Sequence, residues 1–245
     1  MKTFIVTPAF CKAKLLEHCL AHIYSSPIKR PFEHFVLHQH YPVDKERNGE
    51  RIKEIAKKYG CHLIDSGGDI GLHEGLNIMM RIVDLQEGDH LVGCDPDDRP
   101  SPGWVDLLTE GLEQNPNIAV MGAVFWVIVQ RRKEGVFTIQ HTKDRKEVWI
   151  HPSAEMFNIV AFNTRIVNQT LPFEQPNKYY GGIESALYGR WTQRNMRLAY
   201  LPDVSSEHVS VDRTDPTLFD LQYRAWKTAH VGGDQRSFEE WLNAQ

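Results

Sequence analysis

Two hydrophobic periods alternate along the first 115 residues, one of short apolar runs and one of helical spacing. Thr3-Phe4-Ile5-Val6 is a short apolar run broken by Pro8, which reads as a buried strand. Leu16, Cys19, Leu20 and Ile23 then recur at helical spacing. His34-Phe35-Val36-Leu37 is a second strand candidate. It is followed by a helix with Ile52, Ile55, Ala56 and Tyr59 on one face, which Gly60 is placed to terminate. Cys61-His62-Leu63-Ile64 is a third strand. Leu72, Leu76, Met79, Met80 and Val83 mark a helix, and His90 to Cys94 a fourth strand. Ser101 can cap a helix with Pro102 at its first position, leading into Trp104, Val105, Leu107, Leu108 and Leu112. This order predicts an α/β fold: a mostly parallel sheet with helices on both faces.

The pattern changes after this. Ala119 to Val129 and Gly135 to Ile139 read as longer strands of antiparallel character, with others at Trp149-Ile150 and Asn158 to Phe162. Gly182 to Asn195 reads as a loop entering a helix. Leu198-Ala199-Tyr200-Leu201 is a last strand, closed by Pro202-Asp203. The tail carries a helix around Leu218, Leu221, Ala225 and Trp226. A second starts with a capping box of Ser237 and Glu240.

Composition adds little to this picture. Hydrophobic content of 41% and a net charge of -4 suit an ordinary globule and give no global reason for nucleic-acid binding. Basic groups stand at Arg131-Arg132-Lys133 and at Lys143, Arg145 and Lys146, the residue types that contact a polyanion. The four cysteines, Cys11, Cys19, Cys61 and Cys94, form no Cys-x-x-Cys pair, which argues against a zinc site and a disulfide scaffold. A reducing cytoplasm is the compartment they suggest. The longest apolar run, Ile118 to Val129, is too short to span a bilayer.

The candidate chemistry lies at the end of the fourth strand. Asp95-Pro96-Asp97-Asp98 places three carboxylates in four residues. Their repulsion calls for a cation or a donor network. Oxygen ligands suit Mg²⁺ or Mn²⁺, and those ions suit a diphosphate. In open α/β sheets ligands bind beyond the carboxyl ends of the strands, where this cluster and the Thr7–Phe10 turn would both lie. His38, His40 and His151 read as structural or solvent-facing, and Trp126, Trp149 and Trp191 as core residues.

Five segments from Val6 to His208 give the chain a likeness to a known family. It resembles the GT-A glycosyltransferases, particularly the family-2-like branch. Thr7, Pro8, Ala9 and Phe10 resemble the first strand and turn that hold the nucleotide. Gly71 to Asn77 resembles the loop and helix start beneath the nucleotide sugar. Asp95-Pro96-Asp97-Asp98 resembles the Asp-x-Asp motif. Gly181-Gly182-Ile183-Glu184 resembles the acceptor-side turn whose acidic residue is the base in inverting members. Leu198 to His208 resembles the strand ending whose histidine is the third metal ligand in many members.

The resemblance implies a UDP- or GDP-linked sugar as donor and Mn²⁺ or Mg²⁺ as cofactor. Asp97, Asp95 and His208 would hold the metal, with Glu184 as base. Thr7, Pro8, Ala9, Phe10, Gln39, Gly71, Asn77, Asp95 and Asp98 would face the nucleotide sugar. Residues 1–210 would form one catalytic domain, with a nucleotide-sugar half (1–115) and an acceptor half (116–210), and 211–245 a helical extension. The Gln-x-x-Arg-Trp motif of processive synthases is absent, which implies single addition. His38-Gln39-His40 stands where the family places an acidic residue near the base.

Two other classes remain open. A nucleotidyltransferase also uses a carboxylate-held metal on an α/β sheet. It would usually carry a glycine-rich basic loop after the first strand, and Thr7 to Cys11 has no glycine. A non-catalytic sugar- or nucleotide-binding module on the same scaffold is the third reading.

Overall fold

The computed structural model describes residues 2–10, 13–39, 48–67, 72–83, 85–86, 88–151, 159–164, 191 and 193–209, and short pieces between 225 and 244. The strands are β1 (Thr3–Phe10), β2 (Phe32–Gln39), β3 (His62–Asp65), β4 (His90–Cys94), β5 (Asp98–Pro100), β6 (Ile118–Val124), β7 (Thr138–His141), β8 (Glu147–His151), β9 (Ile159–Asn163) and β10 (Arg197–His208). The helices are α1 (Ala13–Ile23), α2 (Asn48–Lys58), α3 (Leu72–Val83), α4 (Trp104–Gln114) and α5 (Trp126–Lys133). The sheet runs β3-β2-β1-β4-β9-β6-β10-β8-β7, with β5 joined to β10 off that path. Strands β1, β2, β3, β4, β6, β7 and β10 share one direction, and β5, β8 and β9 oppose it.

The period-2 alternation of β1 divides the interior. Ile5 and Ala9 pack with Leu16, Leu20 and Ile23 of α1, Ile52 of α2 and Leu108 of α4. Phe4 and Val6 face the other way, towards Val83 of α3, Leu85 and Trp191. Helices therefore cover both faces, as the βα alternation predicts. On β6, Ile118 pairs with Arg197 but Val120 with Leu198, so Ala119 is the extra residue of a bulge. The bulge reverses the side-chain parity: Ile118 joins the first core and Val120 the second.

Gly93 of β4 lies opposite Val160 of β9, and a Cβ there would sit 3.2 Å from the Val160 Cγ2. A β-branched neighbour in a strand has little room to turn aside. Gly93→Ala is expected to lower unfolding free energy by about 1–3 kcal/mol, read as a lower urea midpoint at unchanged slope.

Several boundaries differ from the sequence reading. β1 continues through Pro8 to Phe10 rather than turning after Val6. Its ladder with β4 ends at Val6, so Pro8 lies where one side of the strand is unpaired and a missing N–H is tolerated. The apolar run Ala119 to Val129 is two elements, β6 and α5, not one strand. Phe125 and Ile128 bury themselves against Phe137 and Tyr200, and that packing overrides the β-branched composition. Trp126 is consequently 75% exposed on the outer side of α5, and not a core residue.

Ser101 does not cap α4, whose N-cap is Gly103 at φ 75°. It instead bridges to β10: its Oγ accepts the Ser205 N–H at 3.1 Å, and its own N–H reaches the Ser205 carbonyl at 2.9 Å. β10 does not close at Pro202-Asp203. Leu201 pairs with Ala123 and Ser205 with Val124, so residues 202–204 bulge out and the strand runs on to His208. His151 is structural, buried at 3% with its ring edge-on to Phe137. No helix of the described residues is long and apolar enough to cross a membrane. Within the proposed extension Trp226 is buried, its Nε1 donating to the Arg236 carbonyl at 3.0 Å.

Candidate metal centre

β10 belongs to two ladders, and this is what builds the site. Its first half pairs with β6 and β8; beyond the bulge its last residues pair antiparallel with β5, in the register Ser206↔Pro100, Glu207↔Arg99, His208↔Asp98. Directly opposed residues of an antiparallel pair share a face, and so do diagonal ones. Asp98 thus has His208 directly across and Ser206 diagonally across. The Val209 N–H reaches the Asp97 carbonyl at 2.7 Å, which continues the clamp past the strand end.

Ligand-type atoms of Asp97, Asp98 and His208 lie within 4.8 Å of one another. His208 Nδ1 is 3.4 Å from Asp98 Oδ1 and 4.0 Å from Asp97 Oδ1. The Asp98 side chain has no exposed surface, whereas the His208 side chain is 37% exposed. Asp98 Oδ1 accepts the Ser206 hydroxyl at 2.8 Å; Asp98 Oδ2 is buried and has no hydrogen-bond partner among the described residues. A buried carboxylate oxygen without a donor is costly. Two carboxylates and an imidazole form a hard, mostly oxygen donor set, and a divalent cation there would offset the buried charge of Asp98. Hydrogen bonding to Asp98 raises the His208 pKa against the opposing effect of burial, with Asp97 adding to the rise.

Asp95 stands outside this trio. It opens the turn, its carbonyl accepting the Asp98 N–H at 3.1 Å. The buried thiols of Cys19 and Cys94 lie 3.5 and 3.6 Å from that carbonyl and 3.7 Å from each other. Burial pushes the Cys94 thiol well up, which makes it packing rather than a nucleophile. The geometry therefore sets Asp98, expected to face the sugar nucleotide, in the group that could hold a metal.

Of the remaining expected positions, those at the ends of β1 and β2 lie at the same sheet edge as the end of β4. Phe10 pairs with Gln39, bringing the ends of β1 and β2 side by side. The Thr7 side chain is wholly buried, its hydroxyl 2.9 Å from His34 Nε2, so only its main chain is left for a ligand. Ala9 packs into the core and Pro8 is half-buried. Gln39 is 5% exposed, and Asn77 of α3 is 3% exposed with its Nδ2 donating to Glu74 Oε2 at 3.3 Å. Gly71 and Glu184 lie outside the described residues. Sequence reasoning missed Ser206. Its signal was the alternation Ser206-x-His208 at a strand end, which puts both side chains on one face.

No protein-family model matches the chain, and no curated protein resembles it in sequence. Solved structures share its fold. The mannosyltransferase PcManGT from Pyrobaculum calidifontis, in complex with GDP-Man and Mn²⁺, is similar at TM-score 0.60 and 15% identity over 97% of this chain and 66% of that one. GalNAc-T7 with UDP, GalNAc and Mn²⁺ is similar at TM-score 0.65 and 12% identity over 85% of this chain and 44% of that one. A UDP-glucose pyrophosphorylase complexed with UDP-glucose is similar at TM-score 0.50 and 11% identity, over 84% and 92%. The chain spans less than two thirds of the length of either transferase. At these identities the likeness is one of fold, and the fold is GT-A.

Proposed function

We propose that this GT-A chain is a metal-dependent glycosyltransferase, moving a single sugar from a UDP- or GDP-linked donor to an acceptor hydroxyl. The observation that carries the reading is the Asp97–Asp98–His208 group, with a buried carboxylate oxygen that has no hydrogen-bond partner among the described residues, at the edge of the sheet where such folds bind ligands. Asp97, Asp98 and His208 would hold the ion, with Asp95 beside them. A bound divalent cation neutralises the diphosphate leaving group without proton transfer. Asn77, Gln39 and the Thr7–Phe10 main chain are proposed to line the nucleotide sugar, with Gly71 at the start of the loop beneath it. Glu184 is proposed as the base that takes the acceptor hydroxyl proton as the new glycosidic bond forms. Domain division at residue 210 and cytoplasmic residence belong to the same proposal. The acceptor class extends over glycans, lipids, proteins and a modified nucleobase in DNA.

The test is a panel of nucleotide sugars scored for released nucleoside diphosphate with and without Mn²⁺. Cation-dependent release from one donor is expected; no release from any, together with no thermal shift by UDP or GDP plus Mn²⁺, would sink the reading. Nucleotidyl transfer is the second reading, because the fold likeness extends to the pyrophosphorylase. Pyrophosphate released from a nucleoside triphosphate would favour it.

A proton and a cation compete for the His208 imidazole. Because the His208 pKa is raised, the metal-free chain gains its His208–aspartate pairing at low pH and loses it as pH rises through that pKa. Stabilisation by Mn²⁺ is expected to change in the opposite sense, growing as His208 deprotonates. Melting temperatures with and without Mn²⁺ across pH would show it, and a flat difference would contradict it.

A further inference from the structure

We infer that Ser206 is a positioning residue that holds the Asp98 carboxylate in place for the cation through its bond to Oδ1. The inference rests on the metal-centre reading above. It starts from an asymmetry in the Asp98 carboxylate. Oδ1 accepts the Ser206 hydroxyl at 2.8 Å and lies 3.4 Å from His208 Nδ1; Oδ2 has no hydrogen-bond partner among the described residues, although the side chain is entirely buried. A carboxylate in the interior normally has both oxygens satisfied. Here one oxygen is held and the other has no donor among the described residues.

Backbone geometry makes the hold rigid. Ser206 stands on β10 at the register of Pro100, and Asp98 is diagonal to it across the β5 ladder. The Ser101–Ser205 pair of hydrogen bonds ties the next rung, one of them accepted by the Ser101 hydroxyl. The His22 Nε2 is 2.8 Å from the Pro100 carbonyl, bracing β5 from α1. The Ser206 hydroxyl is therefore delivered by a strand fixed on both sides. An oxygen that donates to one carboxylate oxygen sets the plane of the whole group, and outer-shell partners of this kind tune metal affinity.

The experiment measures free Mn²⁺ by electron paramagnetic resonance during titration of the full chain, in separate arms with GDP and with UDP. Wild type, Ser206→Ala, Ser206→Thr and Asp98→Asn are compared. Ser206→Ala is expected to weaken Mn²⁺ binding by about 10- to 100-fold. Ser206→Thr keeps the hydroxyl and is expected to restore most of that loss. Melting temperatures give a second readout. The Mn²⁺-induced rise should shrink in Ser206→Ala and return in Ser206→Thr, whereas a merely structural role would lower the metal-free value and leave the rise intact. Wild-type binding with equal binding by Ser206→Ala overturns the role of Ser206 alone. A wild type that binds no Mn²⁺ in either arm overturns the metal centre and this inference together.

Discussion

Asp98→Asn is expected to reduce cation-dependent nucleotide release by about a thousandfold or more while leaving the chain folded. The magnitude follows from the several kcal/mol that a cation contributes at a developing negative charge, at about 1.4 kcal/mol per tenfold in rate. The substitution is nearly isosteric and removes a charge that is buried beside Asp97. Metal-free stability should hold or rise, since a buried charge without its cation is a liability to the fold. Two measurements decide the matter: initial rates at saturating Mn²⁺, and the metal-free melting temperature. A rate within tenfold of wild type would remove Asp98 from the ligand set. A collapsed melting temperature would assign its carboxylate to the fold.

Acid should unfold the chain through His34. This imidazole is buried on β2 between the Thr7 hydroxyl, 2.9 Å from Nε2, and the Tyr24 hydroxyl, 3.1 Å from Nδ1. Burial pushes its pKa down to about 3, from an ordinary 6.5. In that window the unfolded chain binds a proton that the folded chain refuses, so stability falls as pH drops from about 6.5 towards 3. The slope from this one group approaches about 1.4 kcal/mol per pH unit. Summed over the window it becomes a large part of the roughly 5–15 kcal/mol of a typical domain. Glu113, held low by the Arg30 guanidinium, adds acid sensitivity of the same sign at lower pH. The quantity to read is therefore the difference between wild type and His34→Gln in urea midpoints from pH 7 to 4. Parallel curves would show that His34 carries none of the effect.

The sequence is most readable where structure is local. The alternation that places Ile5 and Phe4 on opposite faces, the helical spacing of Leu16 and Leu20, and Gly60 at φ 68° ending α2 are each written in a few adjacent residues. The parallel half of the sheet follows from that order. The acidic turn after β4 was legible for the same reason, whereas the GT-A fold was reached through the resemblance of several segments to that family. What was illegible depends on partners far along the chain. The Trp126-Val127-Ile128-Val129 run has strand composition and becomes helix because Ile128 meets Phe137 and Tyr200. The three-residue β5 carries no periodicity of its own and exists only as the partner of β10. Ser101 has the chemistry of a cap, but Ser205 claims it. The choice of Asp98 over Asp95 as the companion of Asp97 and His208 required the β5–β10 register, which nothing near Asp95 encodes.

The double membership of β10 sets a chronology for the site. Asp97 and Asp98 leave the ribosome more than a hundred residues before His208. Pairings between such distant segments close late, because the intervening chain must first be ordered. During synthesis the acidic turn thus stands without its histidine partner. It becomes whole only when the last strand inserts beside β6 and bends across β5. Uptake of a cation at the proposed centre would then report that the sheet has closed, and a nascent chain halted before residue 205 would have every aspartate of the motif and no histidine to complete the group.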